Sequence, residues 1–511
     1  MLSSKIKKIC ILSLSSGILG EDMVRHELQL GLQRLKAMGL EVVFGEHALK
    51  GCNYLLEHPQ ERAEDLIRAF ESDADMILCA IGGEDTYRLT PFLFEDERLA
   101  KALKPKVFLG FSDTTWNHFM LNKLGLKTFY GVAFLSDICE LSMTMLPYTE
   151  RYFQELITTD TIACIEPAFH YYKAREDFSL AAMGVAMEKF ADQGFRSLRG
   201  AKRFAGKIFG GCIDSLYDFF NNQRFEDTVA VAKKYELFPS VAFWHKRILL
   251  LESSEELADG ARYRRFLETL KQTGIFAVLS GVLVGKPVDN CYFEEYNAAL
   301  LDVIDNVDLP IVTNLNVGHC TPRCIVPFNE DCVVDVEAQK ISFIHYRKAV
   351  AADLGDLSGL YTAVKQDLLK RGIDQWDELY PDKEDIAQDV FKGELVVGDL
   401  AGRIILAYTI NKECDEAYGT ASWMAQTDNW RILHRLVVDP AYQGLGLAKM
   451  VLANIFVELR SEAVDFLRLD VFLNNPAACA LYRNCGFSLC GYADWRKGRF
   501  ALMEKDLRDD D

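Results

Sequence analysis

KPKVFLGFSD (residues 104–113) reads as a buried strand that stops on a glycine and turns through Phe111-Ser112-Asp113. The run Val107 to Gly110 has no polar face, which suits a strand covered on both sides. Upstream, ADMILCAIGGED (74–85) repeats the arrangement, an apolar run ending on Gly82-Gly83. KKICILSLSS (7–16) and LEVVFG (40–45) read as further strands, while EDMVRHELQLGLQRLKAMG (21–39) and ERAEDLIRAFESD (61–73) carry apolar residues at helical spacing. This alternation predicts an α/β fold with a parallel sheet and helices on its faces. Ligands then bind beyond the carboxyl ends of the strands. GGED and GFSD both fall at such ends.

At 511 residues the chain is too long for one ordinary core. A formal charge of −18 excludes a nucleic-acid polymer as the main partner, because phosphate binding needs a basic surface. Fourteen cysteines are scattered singly, with no Cys-x-x-Cys pair and no metal-ligand spacing. They read as small hydrophobes in a reducing cytoplasm. The start, MLSSKIKKICILSLSSG, is too short in its apolar part and too broken by serines for a signal peptide, and no run reaches the length of a membrane span. A cytoplasmic protein is expected.

Beyond a stretch at about 150–205 that reads only as a connecting or covering segment, short strands return: KIFGG (207–211), KRILLLESSEE (246–256), FAVLSGVLVGKP (276–287) and LPIVTNLNVGHCTP (309–322), with a closing strand pair at 331–343. A second parse begins near 345, without a Pro/Gly/Ser-rich linker. If Ser112 is a nucleophile it needs a base and a group to orient that base. His319, after a strand and flanked by Gly318, is the base candidate; Glu252, at the end of ILLL, is the orienting candidate. Each has an ordinary alternative: a loop histidine, a helix-start carboxylate, and for Ser112 a helix cap.

Six stretches then resemble the LD-carboxypeptidase family of serine peptidases, especially its microcin C immunity branch. They are AIGGEDTYRLTPFL (80–93), GFSDTTWNHF (110–119), GKIFGGCIDSLYDF (206–219), LLLESSEE (249–256), GKPVDNCYFEEYNAAL (285–300) and NVGHCTPRCIVPF (316–328). The resemblance implies a Ser112–Glu252–His319 triad with no metal. It also implies an oxyanion hole from the amides of Gly83 and Asp113, a small peptide or aminoacyl-nucleotide as substrate, and a homodimer. It further implies an N-terminal parallel-sheet domain over 1–165 carrying the nucleophile and a mixed α/β domain over 166–343 carrying the glutamate and histidine. Thr114 departs from the G-x-S-x-G elbow, and Cys212 stands where the family often has asparagine after Gly210-Gly211.

HRLVVDPAYQGLGLA (434–448) places a strand before a glycine-containing helix start, which leaves helix amides open to an anion. RLDVFLNNPAACALYRNCGF (468–487) follows with a strand, Asn475-Pro476 and a helix bearing Tyr482. Together these resemble the GNAT acetyltransferases and imply a third α/β domain over 344–511 that uses acetyl-CoA. By that resemblance Gln443, Gly444, Gly446 and Ala448 hold the pyrophosphate, Val438 also binds the cofactor, Asn475 meets the pantetheine arm, and Tyr482 protonates the leaving thiolate. Glu378 and Asp439 are possible general bases. Trp423 and Trp430 either stack on a flat acceptor or pack in a core. The expected function is an amide-hydrolysing serine peptidase joined to an N-acetyltransferase, with inactivation of a microcin C-like toxin as the joint task. The alternatives are an LD-carboxypeptidase of murein peptide recycling, or a binding-only peptidase-like module on an active acetyltransferase.

Overall fold

A computed structural model describes residues 5–424 and 427–508. The chain divides into two compact units, 1–342 and 343–511. The first holds two large sheets and a two-stranded one. One contains β1 (Lys8–Leu12), β2 (Glu41–Phe44), β3 (Met76–Cys79), β4 (Val107–Gly110) and β5 (Phe129–Tyr130) in the order β5-β4-β3-β1-β2, all parallel. Every residue of β3 and β4 is buried, as their unbroken apolar runs require. Helix α1 (Arg25–Ala37) and helix α2 (Pro59–Glu71) follow β1 and β2. Pro59 opens α2 at its first position, and Ala63, Leu66, Ile67 and Phe70 bury one face.

The second sheet is built on β6 (Arg203–Cys212), β7 (Ile248–Glu252), β8 (Gly281–Gly285) and β9 (Ile311–Leu315), also parallel. Antiparallel neighbours are β10 (Asp331–Asp335) on β6 and Arg196–Arg199 on β9. Gly210 and Gly211 form the last part of β6, as the strand reading of KIFGG expects. Both have φ near +150°, and a Cβ on Gly211 would meet the Thr115 hydroxyl at 2.5 Å. The unread segment contains a helix, Pro147–Thr159, and a two-stranded hairpin of His170–Tyr172 with Lys189–Ala191. Short strands and exposed side chains explain why no period marked it.

The second unit pairs β11 (Lys340–Lys348), β12 (Leu395–Leu400), β13 (Arg403–Asn411) and β14 (Trp430–Val438) antiparallel in sequence order, with α3 (Leu354–Lys370) between β11 and β12. Strand β15 (Phe466–Phe472) runs parallel to β14, and β16 (Ser488–Trp495) and β17 (Gly498–Asp506) complete the sheet. All fourteen cysteines are free. No described helix is long and apolar enough to cross a membrane.

Candidate active sites

Ser112 sits at the carboxyl end of β4 with φ +66°, a left-handed conformation rare outside glycine. The strain lifts the hydroxyl out of the strand end. Gly82, three residues past β3, lets it stand there, since a Cβ would fall 2.8 Å from Ser112 Oγ. The Asp113 amide nitrogen lies 3.5 Å from the same point. Gly83 has φ +152°, and a Cβ there would meet the Ser16 amide at 2.7 Å. The two turns are locked together. Asp113 accepts from the Ser15 hydroxyl at 2.5 Å and from the Thr86 amide at 2.9 Å, and burial raises its carboxyl to about 6.

His319 Nε2 lies 3.0 Å from Ser112 Oγ, and its Nδ1 lies 2.7 Å from Glu252 Oε2. Glu252 ends β7 and is buried; its other oxygen, Oε1, accepts from the Tyr130 hydroxyl at 2.6 Å. The Ser112 amide donates to that same tyrosine oxygen at 3.1 Å. Phe111 presents its ring to the imidazole at 5.1 Å and 68°, and the Arg323 guanidinium covers Phe111 from 4.5 Å. Two strand ends, those of β4 and β7, and the loop after β9 thus bring the three candidates together. His118, the histidine of GFSDTTWNHF (110–119), is a core residue held by Thr128 and the Gly110 carbonyl, and burial lowers it to about 4.

Burial pulls the His319 pKa down, but the Glu252 and Glu255 carboxylates outweigh it and raise it to about 10. Cys212, Glu252 and His319 each offer a donor atom within 4.8 Å of the others, the one such trio among the described residues. Both Glu252 oxygens are already engaged and burial pushes the Cys212 thiol well above its ordinary value. The trio is arranged to hold protons rather than a cation.

In the second unit β14 and β15 pair only from Trp430–Ile432 with Phe466–Arg468 and then part. Arg435, at φ +50°, bulges β14 where its register with β13 shifts. The splayed strands open a cavity of about 910 Å³ lined by Leu433 to Val438 and Asp470 to Phe472. Val438, Gln443, Gly444, Gly446, Ala448, Asn475 and Tyr482 all line it. Gly446 caps helix α4 (Leu447–Ser461) at φ +83° with no side chain bonded across the helix start. Gln443 bonds the Val438 carbonyl at 3.1 Å, and Asn475 caps helix α5 (Pro476–Asn484) through Ala478. The cavity and the open helix start fit a long anionic co-substrate. Burial raises the Tyr482 phenol above its ordinary value.

Neither suggested base faces this cavity as one. Asp439 accepts from the Ala441 amide at 2.9 Å and pairs with Arg403 at 2.7 Å, and Glu378 is exposed outside the lining. Asp470 does line it, half-buried on β15 and accepting from the Tyr418 hydroxyl at 2.8 Å. Trp423 and Trp430 are absent from the lining. They pack with Tyr418, Ile432 and Leu502, with the Arg468 guanidinium 4.4 and 4.7 Å from their rings.

Family models match residues 9–131 as an LD-carboxypeptidase N-terminal domain, 205–334 as an LD-carboxypeptidase C-terminal domain, and 366–487 as the acetyltransferase (GNAT) family. An MccF-like protein from Streptococcus pneumoniae, solved in complex with AMP, is 54% identical, with a TM-score of 0.66 over 66% of this chain and 98% of its own. The chain belongs to the LD-carboxypeptidase family. Two further solved structures share the fold, each with a TM-score of 0.54 and each covering 67% of this chain and 98% of its own. One is an MccF-like protein from Bacillus anthracis at 23% identity, and the other is the microcin C7 self-immunity protein MccF in complex with aspartyl sulfamoyl adenosine at 20%. This family member carries a GNAT domain after its peptidase unit, so the chain joins a hydrolase family to an acetyltransferase family that uses acetyl-CoA.

Tyr130 escaped sequence reasoning. It sits on a two-residue strand, far along the chain from the glutamate it holds, and no pattern marks it. Tyr130→Phe removes donors and acceptors at both Glu252 and the Ser112 amide. Hydrolysis is expected to slow about tenfold to hundredfold, as loss of one bond to a charged group implies, with KM unchanged in steady-state assays.

Proposed function

We propose that the first unit is a serine peptidase or amidase acting on a small peptide or aminoacyl-nucleotide. The observation that carries this is the unbroken chain Ser112–His319–Glu252 at strand ends, with the serine held in a left-handed turn. Ser112 Oγ attacks the scissile carbonyl while His319 Nε2 takes its proton. Glu252 holds Nδ1–H and so fixes the tautomer. The amides of Gly83 and Asp113 receive the developing oxyanion; such donors are worth about 2.7–4 kcal/mol each. The tetrahedral adduct collapses as His319 protonates the leaving nitrogen, and water, activated by the same imidazole, releases the acyl group.

In the second unit Tyr482 protonates the thiolate released on acetyl transfer, and the open start of α4 takes the pyrophosphate. The base is Asp470: it is the least exposed carboxylate of the cavity lining, and desolvation raises its carboxyl above the ordinary value, which makes it a stronger base. His434, also in the lining, is lowered to about 4 by burial and gives Nε2 to Asn411. Glu413 is tied to Lys392. The two activities converge on one task, since hydrolysing an aminoacyl-nucleotide and acetylating its amine each inactivate a microcin C-like compound.

The test is mass spectrometry of aspartyl sulfamoyl adenosine incubated with the protein, first without and then with acetyl-CoA. Free aspartate and sulfamoyl adenosine in the first arm, and an acetylated product in the second, are the expected results. An untouched substrate in the first arm, with D-alanine released from a murein tetrapeptide, overturns the nucleotide reading in favour of murein recycling.

A further inference from the structure

Two carboxylates, not one, hold His319. Glu255 Oε2 lies 2.7 Å from Nε2, the nitrogen that also faces Ser112 Oγ. With Glu252 on Nδ1 the imidazole is bonded by an acid at each end, which keeps a proton on both nitrogens. An imidazolium cannot take the serine proton, so in this arrangement the base is blocked by a neighbour. The other groups facing the ring are Ser112, Cys212 and the more distant Asp137 and Arg323.

Glu255 is built to leave. Its side chain is 73% exposed, whereas Glu252 is fully covered. The adjacent Glu256 is fixed by Arg224 and Arg262, but among the described residues Glu255 forms an ion pair with His319 alone. It stands on the loop between β7 and the helix Gly260–Gln272, where Leu257 adopts φ +48°. What draws it off must be a cation placed beside the reacting serine. An acyl group attacked by Ser112 puts the substituent of its α-carbon within reach of a carboxylate that touches the same nitrogen.

We propose that Glu255 is the receptor for a substrate ammonium group on the carbon next to the scissile carbonyl, and that taking up this ammonium releases His319 to act as base. The assignment rests on the reading of Ser112 as nucleophile. When Glu255 swings onto the ammonium, Nε2 loses its anionic partner, gives its proton to water and accepts the Ser112 proton next. Substrates without the amine leave the block in place, so recognition and activation are one event.

The test uses an α-aminoalkyl diphenyl phosphonate and its des-amino counterpart. Each reacts by forming an Oγ–P bond and breaking a P–O bond to phenoxide, with the serine proton passing through His319 to the leaving phenoxide. Labelling is followed by intact mass across pH for the wild type, Glu255→Gln, Glu255→Asp and Ser112→Ala; the exposed position leaves folding intact, which melting temperatures verify. The wild type is expected to react about tenfold or more faster with the amine-bearing probe, the advantage of a bond between charged groups. Glu255→Gln is expected to level the two probes and to move the rising limb of the rate–pH profile to lower pH, because its imidazole sheds the proton more easily; Glu255→Asp retains part of the preference. Ser112 labelling with an equal preference and an unmoved limb in Glu255→Gln overturns the assignment alone. No labelling of the wild type by either probe overturns the nucleophile, and the ammonium receptor with it.

Discussion

Ser112→Ala is expected to reduce the proposed hydrolysis of aspartyl sulfamoyl adenosine by about 10⁶-fold in kcat, the loss that follows when a serine nucleophile is deleted from a working triad. The remaining rate comes from binding and the oxyanion donors, which the substitution leaves in place. Ser112 contributes its side chain to His319, while its amide goes to Tyr130, so alanine removes the nucleophile without dismantling the turn. Acetyl transfer by the second unit continues at the wild-type rate, because Ser112 lies outside the cavity that serves it. Liquid chromatography with mass detection reads both in one incubation: sulfamoyl adenosine disappears from the products while the acetylated compound persists. Hydrolysis surviving the substitution means that GFSDTT is a structural turn. Loss of both activities means that the two units depend on one another.

How much of this could be read beforehand depends on whether a residue's task is local. The strands of the first unit announce themselves because burial on both faces demands unbroken apolar runs, as in MILC and VFLG. Ser112, Glu252 and His319 were visible for a related reason: each is a polar side chain placed directly after such a run or close behind it, where a strand end opens on a cleft. Local context also has limits. KIFGG reads as a strand and is one, but the reason for its two glycines is not legible, since they answer to the backbone of Leu250 and the hydroxyl of Thr115, neither nearby in sequence. Asp439 looks like a base and is a helix cap with an arginine partner. The support of the Gly82-Gly83 turn, Arg62 paired through both terminal nitrogens with Asp85 and bonded to the Leu14 and Ser15 carbonyls, falls at helical spacing from the buried Leu66 and Ala69. The helical period puts this arginine on the inward face, but nothing in the helix sequence says which loop it meets there.

Asp470→Asn is expected to lower acetyl transfer by about 10²–10⁴-fold, the range for removing a general base. The assay is made in the Ser112→Ala background, so that the amine-bearing acceptor is not consumed by hydrolysis. Asparagine keeps the volume of the side chain and an oxygen for the Tyr418 hydroxyl, so the splayed strands and the cavity persist. Acetyl-CoA affinity by calorimetry is therefore unchanged, and the loss falls in kcat. The pH profile separates a base from a merely structural acid. Burial raises the Asp470 carboxyl, so it is protonated and idle at acidic pH, and the rate climbs as pH passes its raised value. That limb vanishes in Asp470→Asn, leaving the slope set by deprotonation of the acceptor amine in water. Tyr482→Phe behaves differently: it slows the reaction while keeping the Asp470 limb, because the phenol acts on the leaving thiolate rather than on the amine. If Asp470→Asn keeps both its rate and its acidic limb, the proton leaves the amine by another route. Glu413 is then next to be tested, since it lines the same cavity and its pairing with Lys392 is at the exposed surface.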